Sequence, residues 1–144
     1  MKLFYKPVIA GGAYVLFADD SAGDAIKAYP PKSSAAVLEE NAYNAASPIL
    51  LPLGNAKSQV DLEICKVYAT AGLADAGKAL LASVTIPALF INIQNHIQFQ
   101  EVYGSGQILY LPYALCDMQQ PTVEGGAVTF RMTFKGRFIT TTAP

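Results

Sequence analysis

The residues able to do acid–base, nucleophilic or metal chemistry are few in this sequence, and none stands beside an evident partner. His96, the sole histidine, lies among glutamines, with no acid and nucleophile patterned around it as a catalytic triad requires. Cys65 and Cys116 are far apart, and one histidine with two separated cysteines makes no zinc set. Asp61 and Glu63 share a strand face, a spacing that suits acid–base work. They alternate with Val60, Leu62 and Ile64, however, which is the pattern of carboxylates on a solvent-facing row. Asp19, Asp20 and Asp24 form a turn-like acidic run without the spacing or the closing glutamate of an EF-hand. Gly11-Gly12 lacks the downstream Lys-Ser/Thr of a phosphate loop, and Gly104-Ser105-Gly106 lacks the third glycine and helix of a dinucleotide fold. The expectation is a non-enzymatic protein with no catalytic residue, no metal and no cofactor.

The bulk composition points the same way. Charged residues make up 15% of the chain, against about 25% in an ordinary domain. Interfaces are depleted of charge, so a charge-poor, apolar-rich chain is expected to cover its surface with partners. The alternative is that alanine, abundant here and tolerant of exposure, inflates the 52% apolar content. Ala79 to Phe130 holds Glu101, Asp117 and Glu124 but no Lys or Arg. Nucleic-acid binders need a basic stripe to neutralise phosphates, so sequence-specific nucleic-acid binding is not expected. The opening Lys2 to Pro7 is too short and broken for a signal peptide. The longest apolar-rich stretch, Leu80 to Ile91, is interrupted by Ser83, Thr85 and Pro87. It falls short of the roughly 20 residues a membrane helix needs. A soluble protein made in a cytoplasm, with free thiols and no membrane partner, is the expectation.

The elements that must position these residues are mostly strands. Lys2 to Phe17 reads as two short strands, or one bent strand, around Gly11-Gly12. Residues 22–53 read as a loop-like insertion, with Tyr29-Pro30-Pro31 as a stop and a short helix over Ala35 to Ala42 capped by Ser33 or Ser34. Gln59 to Tyr68 alternates as a strand. Asp75 is placed to cap a helix, about 75–84, that Pro87 ends. Phe90 to Gln100 alternates next: Ile91, Ile93, Ile97 and Phe99 toward a core, Asn92, Gln94, His96, Gln98 and Gln100 toward water. Gln107 to Leu111 and Ala114 to Met118 are further strands, Pro121 to Gly126 a loop, and Ala127 to Ile139 the last strand, with a bulge at Gly136. The fold class is mainly β: a sandwich or barrel with one flanking helix, in a single domain over 1–144.

Roughly 53–142 resembles the tail tube proteins of bacteriophages and related contractile systems. The likeness lies in the strand Val60 to Tyr68, the following helix Asp75 to Ala82, several strands, and the closing Glu124-Gly125-Gly126-Ala127-Val128-Thr129-Phe130-Arg131-Met132-Thr133-Phe134-Lys135-Gly136. A late glycine before an alternating strand that ends aromatic-x-Gly looks like the last strand of many tail proteins. The stretch before Leu53 departs from the compact pattern. It leaves a tail terminator or another connector open beside the tube itself.

The resemblance implies a β-sandwich whose sheets join those of neighbours into a hexameric ring. It also implies stacked rings with DNA passing through the lumen, contacts with other tail proteins, and a place in the virion tail after synthesis in a host cytoplasm. A lumen should not hold DNA, so the neutral row Asn92, Gln94, His96, Gln98 and Gln100 is the candidate lumen-facing set. A carbohydrate- or protein-binding sandwich, with Tyr103, Tyr110 and Tyr113 as a stacking surface, is the alternative.

Overall fold

The computed structural model describes the backbone of residues 1–35, 37–40, 49–52 and 56–144, and the side chains of 1–35 and 56–144. The fold is mainly β, one nine-stranded antiparallel sheet with one long helix. The strands are β1 (Lys2–Pro7), β2 (Val15–Asp19), β3 (Ala25–Ala28), β4 (Lys32–Ser34), β5 (Val37–Glu40), β6 (Ile49–Pro52), β7 (Lys57–Val67), β8 (Asn95–Gln100), β9 (Ile108–Met118), β10 (Thr122–Glu124) and β11 (Ala127–Arg137). The sheet runs β2-β1-β8-β9-β11-β7-β3, with β10 on β11 and β4 on β7. Strands β5 and β6 pair with each other as a separate hairpin.

Alternation makes the long strands one-sided. Val60, Leu62 and Ile64 on β7 and Val128, Phe130, Met132 and Phe134 on β11 are buried, while the residues between them face outward. Strand β9 joins two half-sheets: Ile108 to Ala114 pair with β8, and Leu115 to Met118 pair with β11. The two ends of the sheet then meet. A short turn, Asp20–Ala22, carries β2 into β3, and Lys66 on β7 donates to the Phe17 carbonyl on β2 at 2.9 Å.

The helix α1 begins at Ala71, capped by Thr70, whose hydroxyl accepts the Leu73 N–H at 3.2 Å. Thr70, not Asp75, therefore caps it. It does not stop at Pro87 either. Two wide turns, Leu81–Thr85 and Pro87–Ile91, extend it to 21 residues. A proline at the head of the second wide turn has no N–H to leave unbonded there. Ala74, Leu81, Ile86 and Phe90 pack inward. The Phe90 ring meets Phe17, Tyr5 and Phe134 edge-on at 4.9, 5.1 and 5.7 Å, which seals the space between the half-sheets. Gly77 packs against Tyr68, whose ring a Cβ there would overlap. By length and a mean hydropathy of 1.4, Ala71–Ile91 is long and apolar enough to cross a membrane; 28% of that window is buried in the fold.

Several expectations need correction. The 22–53 stretch is not simply loop: β3 and β4 join the main sheet, and β5 and β6 form the hairpin. Val37–Glu40 is strand, not helix, while residues 36 and 41–48 of that expected helix and irregular segment lie outside the described residues. Strand β8 starts at Asn95 because the chain is still helical at Ile91. Gln107 to Leu111 and Ala114 to Met118 belong to one strand, and Thr122–Glu124 pairs with β11. Gly136 stays in register opposite Ser58, so it marks no bulge. The tail Thr140 to Pro144, which the sequence marks as frayed, is tied down in part, since Thr140 pairs with Tyr110.

Candidate functional site

The structure separates the five residues of the expected polar row. Asn92 closes the helix, and Gln94 precedes β8, donating to the Tyr113 carbonyl at 3.1 Å. Gln98 and Gln100 lie on β8 and are half-buried. His96 is 7% exposed and does not face water. Of the expected inward residues, Ile97 and Phe99 are in the core, but Ile91 and Ile93 are 40% and 41% exposed. The row is also not bordered by neutral groups alone. Pairing with β1 sets Lys2 opposite Gln100 and Lys6 opposite His96.

His96 is buried by a bend in β9. Tyr113 has a left-handed backbone with φ of 54°, a conformation costly for a bulky residue. The β8–β9 register slips between Asn95 and Ile97 at the same place. The Tyr113 N–H, turned out of the regular ladder, donates to His96 Nδ1 at 3.3 Å, and the two rings meet edge-on at 4.8 Å. The Arg137 guanidinium covers the other side of the Tyr113 ring at 3.7 Å. Burial, then the Lys6 and Arg137 charges, hold the His96 pKa below its ordinary value. A neutral imidazole accepting one backbone N–H is a structural arrangement, with no nucleophile or acid beside it. Beneath the bend, Gly136 gives β11 room: a Cβ there would stand 2.6 Å from the Pro112 carbonyl oxygen.

The other chemical candidates are also occupied. Asp61 accepts from the Thr133 hydroxyl at 2.7 Å, and Glu63 faces Arg131 across the β7–β11 ladder. Asp19 accepts from the Ser21 hydroxyl and N–H at 2.6 and 2.9 Å, and those bonds, the hydroxyl foremost, lower its pKa. Asp24 accepts from the Asp19 N–H and lies 3.4 Å from Lys66 Nζ. The acids cap a turn rather than converge. Among the described residues no three His, Cys, Asp or Glu side chains are grouped to hold a metal. Tyr103 donates to the Tyr29 carbonyl at 3.0 Å, Tyr113 is covered by Arg137, and Tyr110 packs on Tyr14, so the three tyrosines form no common stacking face. Cys65 and Cys116 are free thiols. They are held apart by the intervening strand β11, which exceeds the reach of a disulfide. Burial pushes the Cys116 thiol up to about 12.

Two surfaces remain. One is apolar: Leu73, Leu80 and Val84 on the outer flank of α1, and Val15 and Leu16 on β2, which ends the sheet, are all about half exposed. The other is cationic. Lys32, Lys57 and Lys135, from three distant parts of the chain, line a cavity of about 500 Å³ with Ser33, Ser34, Ser58 and Gln59. Sequence reading missed it because no local run of lysines marks it. Only the β4–β7–β11 register brings the three together.

No family model matches the chain, and no curated protein matches it. Among solved structures it is similar to a chain from the tail of an empty GTA particle with C6 symmetry. The identity is 10%, over 99% of this chain and 96% of that one, with a TM-score of 0.43. A chain from the virion of a native gene transfer agent (GTA) particle is similar at 11% identity, over 98% of this chain and 95% of that one, with a TM-score of 0.42.

Proposed function

We propose that the chain is a virion structural protein, a tail tube subunit that self-assembles into stacked hexameric rings around a passage for DNA. The observation that carries this reading is the apolar surface left uncovered on the single subunit. Leu73, Leu80 and Val84 form one flank of a helix that turns its other side to the core, and β2, which among the described residues has a ladder partner on one side, bears the half-exposed Val15 and Leu16. A chain with 15% charged residues has little with which to keep such surface in water. Strand edges and apolar helix flanks are the surfaces that ring formation covers. The element order also agrees with the resemblance read from the sequence: a long strand, a helix, then strands closing on β11. Within this reading Asn92, Gln94, Gln98 and Gln100 are the lumen-facing set, and His96 leaves it because it is buried.

Electron microscopy of the purified protein, with light scattering across a concentration series, tests the proposal. Rings or tubes are expected. Rings that never stack favour a terminator or connector, and a stable 15 kDa monomer at all concentrations removes the reading.

A further inference from the structure

Strand β9 turns its corner on a bulge. Asn95 pairs with Ala114 and Ile97 with Leu111, so the single residue His96 stands opposite two, Pro112 and Tyr113. Pro112 has no N–H to give to a ladder. Both backbone groups of Tyr113 are met by side chains instead. Its N–H donates to His96 Nδ1 at 3.3 Å, and its carbonyl accepts from the Gln94 amide at 3.1 Å. These two bonds hold Tyr113 at a φ of 54°, a conformation that a bulky residue does not keep unaided. The corner is also where the chain passes from one half-sheet to the other, since β9 pairs with β8 up to Ala114 and with β11 from Leu115.

One of the two bonds depends on a proton. An imidazole nitrogen accepts a hydrogen bond only while it carries no proton, so the Tyr113 bond requires a neutral His96 with its proton on Nε2. A second proton would sit on Nδ1 and face the Tyr113 N–H, donor against donor. The surrounding charges oppose it as well. Lys6 stands opposite His96 on β1, Arg137 covers the far side of the Tyr113 ring from β11, and the Tyr113 phenol meets the imidazole edge-on from β9. Tyr14, before β2, lies under Lys6 Nζ at 4.9 Å and keeps its proton, its pKa being raised to about 12. Lys6 also donates to the Pro144 backbone oxygen at 3.2 Å. Among the described residues neither Lys6 nor Arg137 has a carboxylate side chain within ion-pair distance. The closed corner therefore binds the second proton less readily than an open one in which the ring reaches water, in keeping with the lowered His96 pKa. A falling pH favours whichever form takes up the proton more readily, and that is the open one.

We infer that the Tyr113 corner is an acid-opened hinge between the half-sheets: a proton on His96 Nδ1 ends the bond from the Tyr113 N–H, Tyr113 leaves its left-handed conformation, and Arg137 loses its seat on the Tyr113 ring. His96 is the only histidine, so it is the side chain whose ordinary titration range falls between pH 5.5 and 7.5. The β7–β11 ladder contains no histidine and stays closed.

Hydrogen exchange tests it, with protection expressed relative to the unstructured chain at each pH. From pH 7.5 to 5.5 the protection of the Tyr113 amide should fall severalfold, and by at most about tenfold for one proton linked to opening. Amides of the β7–β11 ladder should keep theirs. His96→Asn puts an oxygen that accepts but does not titrate in place of the ring nitrogen, so its Tyr113 protection should stay flat with pH. An equal fall in His96→Asn would overturn the inference. So would a wild-type Tyr113 amide whose protection does not change, or a fall shared by the β7–β11 ladder, which is unfolding of the whole chain and not a hinge. The last two outcomes are read on the wild type alone, so the test stands even if His96→Asn does not fold.

Discussion

Replacing Gly136 by alanine should destabilise the protein, although alanine is ordinarily the better residue in an extended strand. The added Cβ would lie 2.6 Å from the Pro112 carbonyl oxygen, 3.1 Å from Leu111 Cγ and 3.2 Å from Ala114 Cα. The first and last of these are backbone atoms, so no flexible side chain can swing away. The bend is held by the Tyr113 N–H bond to His96 and by β9 pairing with β11 through Lys135 and Leu115. Overpacking of this kind costs about 1–3 kcal/mol. Loss of glycine's freedom in the unfolded chain returns about 0.4–1 kcal/mol. The net is a loss of about 1–2 kcal/mol, or about 3–7 °C in Tm for a chain of this size. Gly72→Ala supplies the opposite sign. In the first turns of α1 its Cβ would meet only the Thr70 hydroxyl, at 4.0 Å, and helix propensity predicts a gain of up to about 1 kcal/mol. Urea denaturation at one fixed protein concentration measures both, since assembly shifts apparent stability. A Gly136→Ala protein as stable as the wild type would show that β11 does not pass so close beneath the bend.

Four further outcomes are expected. Because burial lowers the folded His96 pKa, the unfolded chain takes up its proton first as pH falls. The stability His96 contributes is therefore full above about pH 6.5 and declines as pH drops toward its folded value; the urea midpoint should fall from pH 7.5 to 5.5 in the wild type and fall less in His96→Asn, and equal slopes would refute this. Ile97→Asp should prevent folding by burying an unpaired carboxylate, whereas Ile93→Asp, at an exposed position, should cost well under about 1 kcal/mol by the same denaturation assay. Gln94→Lys with Gln98→Lys should fold and assemble, but particles built from it should pass DNA more slowly; normal DNA ejection would remove these residues from the lumen. Maleimide labelling followed by mass spectrometry should find two thiols, with buried Cys116 reacting much more slowly than Cys65, and equally rapid labelling would contradict its burial.

The strands that are legible in the sequence are the ones with one wet face. Val128, Phe130, Met132 and Phe134 alternate with Thr129, Arg131, Thr133 and Lys135, and the structure keeps that division. The helix boundary was misread for a physical reason. Leu81, Ile86 and Phe90 step by five and four residues through wide turns, which hides the helical period, while Ile91-Asn92-Ile93 imitates a strand. His96 looked wet because alternation along β8 carries no sign of a bend in the neighbouring strand at Tyr113, 17 residues further on. The lysine cavity was invisible because its members stand at 32, 57 and 135, and only the pairing register makes them neighbours.

The placement of β1 has a consequence for synthesis. It pairs with β2 on one side and with β8 on the other, where Lys2 meets Gln100. At about 5–20 residues per second, roughly 5–20 s pass on the ribosome between making the first strand and completing its partner. During that interval the N-terminal hairpin has one edge free, in a stretch that includes Leu3 and Tyr5. The nearest source of a wrong strand is the same hairpin on the next nascent chain of the same message. A slower message gives each hairpin a longer wait with that edge open.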